Sequence, residues 1–305
     1  MLRRPLLALS VLGLVGCTFN VSTFARDVTS DLDSAPTRVR TDVAGLADLG
    51  GFDLTIEGSP TATSASATVT IAGLLGSGAS ADDAVRSVQI AWPEDTTFAG
   101  GRLLNVGYSG SAPETMWTEG MRVSVPSTTA LDVNAGSTSV FVRGVSADMH
   151  IVADSGSIDV ADAGHFELAA TSGSIAVAGH DGRATCTSGS IALRLTGPVT
   201  AHATSGSIAG QFGGGGVADA TSGSVDLELV GPLDRDLTLA ADSGSIHLVV
   251  PAGTSMRVET HTGSGSSHVQ VGGVNSGDDF TGTIGAGGFL VRATTGSGSI
   301  TITER

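Results

Sequence analysis

The chain has 305 residues, a formal net charge of −15 at pH 7 and no lysine. Such a surface repels nucleic acid and the anionic surface of a membrane, so the composition argues against electrostatic binding to either. Aromatic residues make up 4% of the chain, which is too few for a conventional globular core of this length. The composition therefore favours a repeat architecture built from small and β-branched residues.

Residues 1–16 have the pattern of a signal peptide, with two arginines before an apolar run too short to span a bilayer. The run ends in Leu14-Val-Gly-Cys17, which resembles the lipobox of bacterial lipoproteins. We therefore expect cleavage before Cys17 and acylation of its thiol. Thr18 rather than aspartate follows the cysteine, which is similar to the signal for outer-membrane sorting in a cell with two membranes. The alternative is an ordinary secretory signal in which the cysteine is incidental.

Two segments separate the cysteine from the repeats. Residues 17–40 are rich in Thr, Ser, Asp and Arg, and we predict a tether between the lipid and the folded domain. Residues 41–126 contain several strand-like segments and both tryptophans, which predicts a β-rich cap that covers the first repeat. Within this cap, residues 81–87 are predicted to form one short helix with Ser80 as its N-cap.

A pentapeptide of the form Thr/Asp-Ser-Gly-Ser-Ile/Val recurs through the second half of the chain. Its central glycines are Gly156, Gly173, Gly189, Gly206, Gly223 and Gly244. The steps between them are 17, 16, 17, 17 and 21 residues, and a fixed period of this length is the signature of a solenoid. A looser form, Thr295-Gly-Ser-Gly-Ser-Ile300, closes the chain and predicts a final rung with an exposed edge.

Side-chain parity around the glycine predicts the shape of one repeat. The residue three before the glycine is Ala or Cys, and the residues two and four after it are almost all Ile, Val or Leu. Because strand side chains alternate between two faces, both sets point inward only if the chain turns at Ser-Gly-Ser. Residues 127–305 are therefore predicted to form an all-β fold, a parallel β-solenoid with rungs of 16–21 residues. Such a narrow coil leaves no room for an internal ligand cavity.

The order of motifs from Met121 to Val160 resembles a known bacterial family. Val123-Ser-Val-Pro-Ser127 leads through further short strands into Asp154-Ser-Gly-Ser-Ile-Asp-Val160. This order resembles the bacterial "putative adhesin" family, a β-repeat domain of unknown function, over roughly residues 41–305. The chain departs from the family in that serine mostly replaces the acidic residue after the glycine. The family has no established catalytic residues, so the resemblance implies no catalytic site.

One set of side chains is a candidate metal site. If Gly265 is the corner of the next rung, Asp226, His247 and His268 fall at the same outward position on successive rungs, about 4.8 Å apart. The alternative is an ordinary solvated ladder, because three ligands from one face form a poor tetrahedral site. We predict no metal and no other cofactor.

Two further features have a structural and a functional interpretation. Cys186 takes the position before the glycine where other repeats have alanine, so we interpret it as a small buried residue rather than a catalytic thiol. Outward threonines form a ladder, which is either a solvated strand surface or a row of hydroxyls that binds ice or glycan. The members of this ladder are Thr171, Thr187, Thr204 and Thr221.

Together these patterns predict a non-catalytic, lipid-anchored protein of the cell envelope with a structural or adhesive role. Its expected partners are the membrane, through the lipid, and an envelope polysaccharide or a surface protein, but not nucleic acid. One alternative is a glycan-binding or glycan-cleaving surface protein, against which the expected lack of exposed aromatic residues for sugar stacking argues. A second is an accessory of envelope-stress signalling, which rests on analogy alone.

Overall fold

The structure is a computed structural model that describes residues 22–43, 52–75, 80–108 and 116–305. These ranges contain 25 strands and one short helix, so the protein is almost wholly β. Within them no helix has the length and the apolar character that crossing a bilayer requires. Cys17 and the predicted signal peptide lie outside the described residues.

The strands stack in parallel as ten rungs, and each rung gives one strand to each of two facing sheets. We call the sheet that precedes the glycine corner the leading sheet and the sheet that follows it the trailing sheet. In stacking order, the leading sheet consists of β2 (Arg38–Asp42), β8 (Ala130–Asn134), β10 (Met149–Ala153), the second halves of β11 (Ile158–Ala170) and β12 (Ile175–Cys186), β14 (Val199–Ala203), β16 (Gly216–Ala220), β18 (Leu237–Ser243), β24 (Leu290–Ser297) and β20 (Met256–Ser264). The trailing sheet consists of β3 (Asp53–Ser59), β9 (Ser139–Arg143), the first halves of β11 and β12, β13 (Ile191–Leu195), β15 (Ile208–Phe212), β17 (Val225–Leu229), β19 (Ile246–Val250), β25 (Ile300–Glu304) and β21 (Ser267–Val271).

One apolar core runs between the two sheets along the whole stack. The residues three before and two after each corner glycine are buried, as Cys186 and Ile191 show with 1% exposure each. Their neighbours on the outer faces are half-buried, as Ala176 is, or exposed, as Ala192 is. This alternation confirms the predicted parallel β-solenoid, and each buried Ile or Leu stabilises it by about 1.5–3 kcal/mol. Ten rungs at about 4.8 Å each give a stack about 45 Å long.

Further strands cover the first rung: those next to it run parallel to it, and each strand further out runs antiparallel to its inner neighbour. Three of them extend the trailing sheet beyond β3, and we call these three strands together with β3 the cap sheet. The three strands are β7 (Met116–Pro126), β4 (Ala65–Leu75) and, at the edge, β1 (Ser22–Leu32). On the other side β6 (Gly101–Tyr108) and β5 (Val88–Ala91) extend the leading sheet. Helix α1 (Ala81–Ser87) follows the predicted N-cap, because the Ser80 hydroxyl accepts a hydrogen bond from the Asp83 N–H at 3.1 Å.

The structure corrects the expected division between tether, cap and solenoid. Most of residues 17–40, which we expected to form a tether, belongs to strand β1, residues 22–32, and to the start of strand β2, residues 38–42. The first rung, β2 and β3, lies ahead of the expected solenoid start at residue 127 and stacks directly on β8 and β9. The pattern of β1 is hard to recognise because Arg26 and Ser30 interrupt the inward series of Phe24, Val28 and Leu32, which packs against the core.

The last rung in the sequence is not the last rung of the stack. Strands β24 and β25 insert between β18 and β19 on one side and β20 and β21 on the other. The expected exposed edge at the C-terminus is therefore wrong, because β25 has a partner on both sides. The glycine-rich stretch from residue 275 to 288 covers the true end with β22 (Val274–Ser276) and β23 (Thr281–Ile284), both antiparallel to the final rung.

Candidate binding surface

The six corner glycines form one column along the stack. A Cβ atom built on Gly173 would lie 1.9 Å from the carbonyl oxygen of Gly156, and one built on Gly206 would lie 1.9 Å from that of Gly189. The same distance is 1.9–2.2 Å for the other four, with the Thr138 carbonyl below Gly156. None of the six has a left-handed φ, so backbone crowding between rungs requires glycine here.

The serines that follow these glycines form a second column. The Ser174 N–H donates to the Ser157 hydroxyl at 3.3 Å, and the Ser207 N–H donates to the Ser190 hydroxyl at 3.4 Å. The same bond links every rung from Ser139 up to Ser299. Serine therefore replaces the acidic residue of the related family for a structural reason, since its hydroxyl satisfies a corner N–H.

Cys186 lies in the core beneath this corner. Its thiol donates to the Gly173 carbonyl oxygen at 3.0 Å, and burial raises the pKa of the thiol. A thiol held in the protonated form is a poor nucleophile. The position agrees with the interpretation of Cys186 as a small buried residue.

The candidate metal ladder is interrupted. Asp226 and His247 are neighbours, and His247 Nδ1 lies 3.0 Å from Asp226 Oδ1. Because the C-terminal rung is inserted, Thr301 lies between His247 and His268. The two histidines are thus two rungs apart, about 10 Å, with Thr301 between them, which corrects the expected order of the ladder. Within the described ranges no group of three or more His, Cys, Asp or Glu is placed to hold a metal ion.

Histidine and aspartate form pairs across the surface of the stack. Six of the seven histidines place Nδ1 3.0–3.8 Å from an aspartate oxygen. Asp181 serves two of them, because His180 lies 3.0 Å from one carboxylate oxygen and His165 lies 3.1 Å from the other. The hydrogen bond with His180 is the main cause that lowers the pKa of Asp181. These pairs lie at the surface of the protein. They give six histidines an aspartate partner, so a bound ligand is not needed to explain their presence.

The cap sheet carries a concavity of about 490 Å³ on its outer face. Its lining crosses four strands and consists of Asp27, Thr29, Asp53, Thr55, Thr68, Thr70, Gly120, Met121 and Arg122. We call this set the cap-sheet concavity. Its centre is open because Gly120, between Thr70 and Asp53, has no side chain. The chemistry of the lining is polar, with two carboxylates, one guanidinium and four hydroxyls.

Only part of this lining is internally paired. The Thr70 hydroxyl donates to Asp27 at 2.6 Å, and the hydroxyls of Thr29 and Thr68 lie 3.0 Å apart. Two exposed charges have no side-chain partner: among the described residues, neither Asp53 nor Arg122 forms a side-chain hydrogen bond or an ion pair. They lie on neighbouring strands of one face, where a ligand would meet both.

An exposed tryptophan lies on the same face. Trp117 is 37% exposed and is the cross-strand partner of Ala72, two residues along β4 from Thr70. This corrects the expected lack of exposed aromatic residues and, for Trp117, the expectation that the tryptophans cover the first rung, whereas Trp92 packs against the core. A bulge opposite Thr70 and Ile71 reverses the alternation of β7, so that Met121 points inward while Trp117 points outward. The signal for this surface in the sequence was Gly120, since an isolated glycine in a strand often marks a bulge.

The fold and the surface define this protein as a capped parallel β-solenoid with a closed apolar core and a polar concavity on its cap. Residues 118–303 match the Toastrack DUF4097 family, and because this is more than half of the chain, the protein belongs to that family. The match confirms the resemblance to the bacterial "putative adhesin" domain of unknown function.

Several solved structures are similar to this chain. A "putative adhesin" from Parabacteroides merdae is 13% identical, with 93% of this chain and 96% of that chain covered and a TM-score of 0.45. A "putative adhesin" from Parabacteroides distasonis is 12% identical, with 92% and 97% covered and a TM-score of 0.44. A "putative cell adhesion protein" from Clostridium sporogenes is 10% identical, with 92% and 100% covered and a TM-score of 0.23. No curated protein matches this chain significantly.

Proposed function

We propose that this protein is a non-catalytic binding module of the cell envelope, held there by a lipid on Cys17, with an adhesive or structural role. Its family is a domain of unknown function, with which a structural or interaction role is consistent. The observation that carries the proposal is the contrast between a closed core and an outer cap surface with unpaired polar side chains. Such a molecule offers surfaces for recognition rather than an enclosed site for a reaction.

The spacing of the carboxylates supports binding rather than glycan cleavage. Asp27 and Asp53 lie at the two ends of the concavity, three strand spacings apart, which is about 14 Å. Glycoside hydrolysis uses two carboxyl groups about 5–9.5 Å apart. The buried Cys186 supplies no accessible nucleophile either.

The proposed anchor would hold the cap close to the membrane. Five residue steps separate Cys17 from Ser22, where β1 begins, and these steps span at most about 18 Å. Because β1 is the edge of the cap sheet, this end of the stack would face the lipid while the remaining rungs extend away. We propose the outer membrane as the location in a cell with two membranes.

The test measures binding to envelope components and chemical change together. Purified full-length protein in detergent is incubated with peptidoglycan sacculi and with outer-membrane vesicles, and both bound protein and released reducing sugar are measured. We expect saturable binding to at least one fraction and no release of sugar. Absence of saturable binding, or catalytic release of sugar, would contradict the proposed function.

A further inference from the structure

We propose that the outer face of the cap sheet binds a neutral saccharide chain, with Trp117 as the stacking platform and the cap-sheet concavity as the hydrogen-bonding site. This inference rests on the proposed function, because it names the surface and the ligand class through which the binding module acts. It is carried by three features of the same face: an open floor, unpaired polar side chains and an exposed indole ring.

The open floor comes from Gly120. A Cβ built there would have only the Asp53 carbonyl oxygen within 4 Å, at 3.8 Å. Neither crowding nor a left-handed φ requires glycine at this position, in contrast to the corner glycines. The missing side chain instead leaves a depression between Thr70 and Asp53 in an otherwise continuous sheet.

The polar lining matches the hydroxyl groups of a sugar. The carboxylate of Asp53 is free to accept from two adjacent sugar hydroxyls, and Arg122 on the neighbouring strand is free to donate to ring and hydroxyl oxygens. The hydroxyl of Thr55, which also lines the concavity, both donates and accepts. Alternating donors and acceptors of this kind suit a ligand whose own groups do both.

Trp117 supplies the apolar half of the recognition. Its cross-strand partner Ala72 lies about 7 Å along β4 from Thr70, so the indole adjoins the concavity without filling it. An indole ring presents a large flat apolar surface and an N–H donor, which suits the C–H face of a sugar ring. From Trp117 to Arg122 the surface extends for about 15 Å, which fits several linked sugars better than one.

Charge favours a neutral chain over an anionic polymer. The concavity contains two aspartates against one arginine, and the whole protein has a net charge of −15. A phosphate- or uronate-rich chain would meet like charge at this surface.

The experiment screens the full-length protein in detergent against an array of neutral hexasaccharides built from glucose, galactose, mannose and N-acetylglucosamine. Affinity for the best ligand is then measured by calorimetry for Trp117→Ala, Asp53→Asn and Gly120→Gln. Gly107→Gln is the matched control, since a Cβ at Gly107, in β6, meets nothing within 4 Å and thus has room, as at Gly120. We expect at least a tenfold loss of affinity in each of the first three variants, an unchanged affinity in the control, and melting temperatures close to that of the wild type in all four.

Two outcomes would overturn the inference. One is that the wild-type protein binds no saccharide of the array, and the other is that Trp117→Ala and Asp53→Asn, both folded, bind as tightly as the wild type. In either case, saturable binding to sacculi or vesicles would leave the proposed function standing. If the protein also failed to bind those fractions, both the saccharide inference and the proposed function would be contradicted.

Discussion

At the scale of single residues, the corner of each rung is determined by contact between backbones. The carbonyl oxygen of each corner glycine lies directly against the glycine of the next rung. The hydroxyl of the serine that follows accepts a hydrogen bond from a backbone N–H of that next rung. Thr138 takes the glycine position in the β8–β9 rung without a left-handed φ, so this turn can be made by another residue. Glycine is therefore needed for stacking and not for the turn itself.

Gly189→Ala should destabilise the protein by more than about 1 kcal/mol, whereas the same replacement at a permissive site stabilises a protein by about 0.4–1 kcal/mol. The new Cβ would lie 2.2 Å from the Gly173 carbonyl oxygen, so at least two rungs must move apart. Gly107→Ala is the control, because its Cβ meets open space. Urea unfolding of both variants measures the difference, and equal losses would contradict the crowding argument.

Asp181→Asn should lower the free energy of unfolding by more at pH 7 than at pH 2.5. The pKa of Asp181 is lowered in the folded protein, chiefly by the bond with His180, so its contribution is present above its unfolded pKa of about 3.9. It is lost as the pH falls through the lower, folded pKa, where wild type and variant both carry a neutral side chain. Urea unfolding at the two pH values gives the comparison.

The control for this effect is Asp242→Asn, which removes an exposed carboxylate that has no ion pair among the residues with described positions. We expect little change at either pH in this variant. A loss of stability in Asp181→Asn that is the same at pH 7 and pH 2.5 would show that its charge contributes nothing.

At the scale of elements, the order of the last two rungs follows their inward side chains. In the β20–β21 rung, Ser267 takes the inward position that is Ile, Val or Leu in every other rung. Its hydroxyl donates to the buried Thr260 hydroxyl at 2.8 Å, which also accepts from the Phe280 N–H at 2.8 Å. The segment that contains β22 and β23 reaches only the rung at the end of the stack, so only there can it bond to the buried Thr260 hydroxyl that also holds Ser267. The rung with Ile300 in place of Ser267 has no such polar group there and therefore lies inside the stack.

Paired cysteines test this order. His247→Cys with Thr301→Cys should form a disulfide under mild oxidation, because adjacent strands place their Cα atoms within the range that the bond requires. His247→Cys with His268→Cys should not, because two rungs separate the positions. Thiol titration and mass spectrometry distinguish the pairs. The opposite result would mean that the rungs stack in sequence order.

At the scale of the whole molecule, the stack is a rod about 45 Å long whose two ends differ. The cap end carries β1, the concavity and Trp117, and it lies a few residues from Cys17. The far end is covered by β22 and β23. An anchor at Cys17 would thus set which end faces the membrane.

Cys17→Ala should release the protein from the membrane fraction without changing its melting temperature. The proposed lipid is the only link to the bilayer that we invoke, and no charge attraction replaces it at a net charge of −15. Fractionation and metabolic labelling with palmitate provide the measurement. Continued partition with membranes, or palmitate in the variant, would refute the lipoprotein assignment.

The sequence by itself determined the solenoid, because the same small set of interactions repeats at a constant step. Ala before the glycine, Ile after it and serine beside it each occupy one column, so one repeat contains the information for its neighbours. The short helix after Ser80 was equally local, since an N-cap and its first turn lie within a few residues.

Only the tertiary structure decided the ends and the surface. Strand β1 was hidden because Arg26 and Ser30 break its alternation, and the rung order depended on which segment reaches Thr260. Trp117 was expected to help cover the first repeat, and strict alternation from Met121 would point it inward. The bulge that turns it outward is formed by the pairing of β7 with β4. This pairing joins segments that are far apart in the chain, so the sequence of one strand does not predict it.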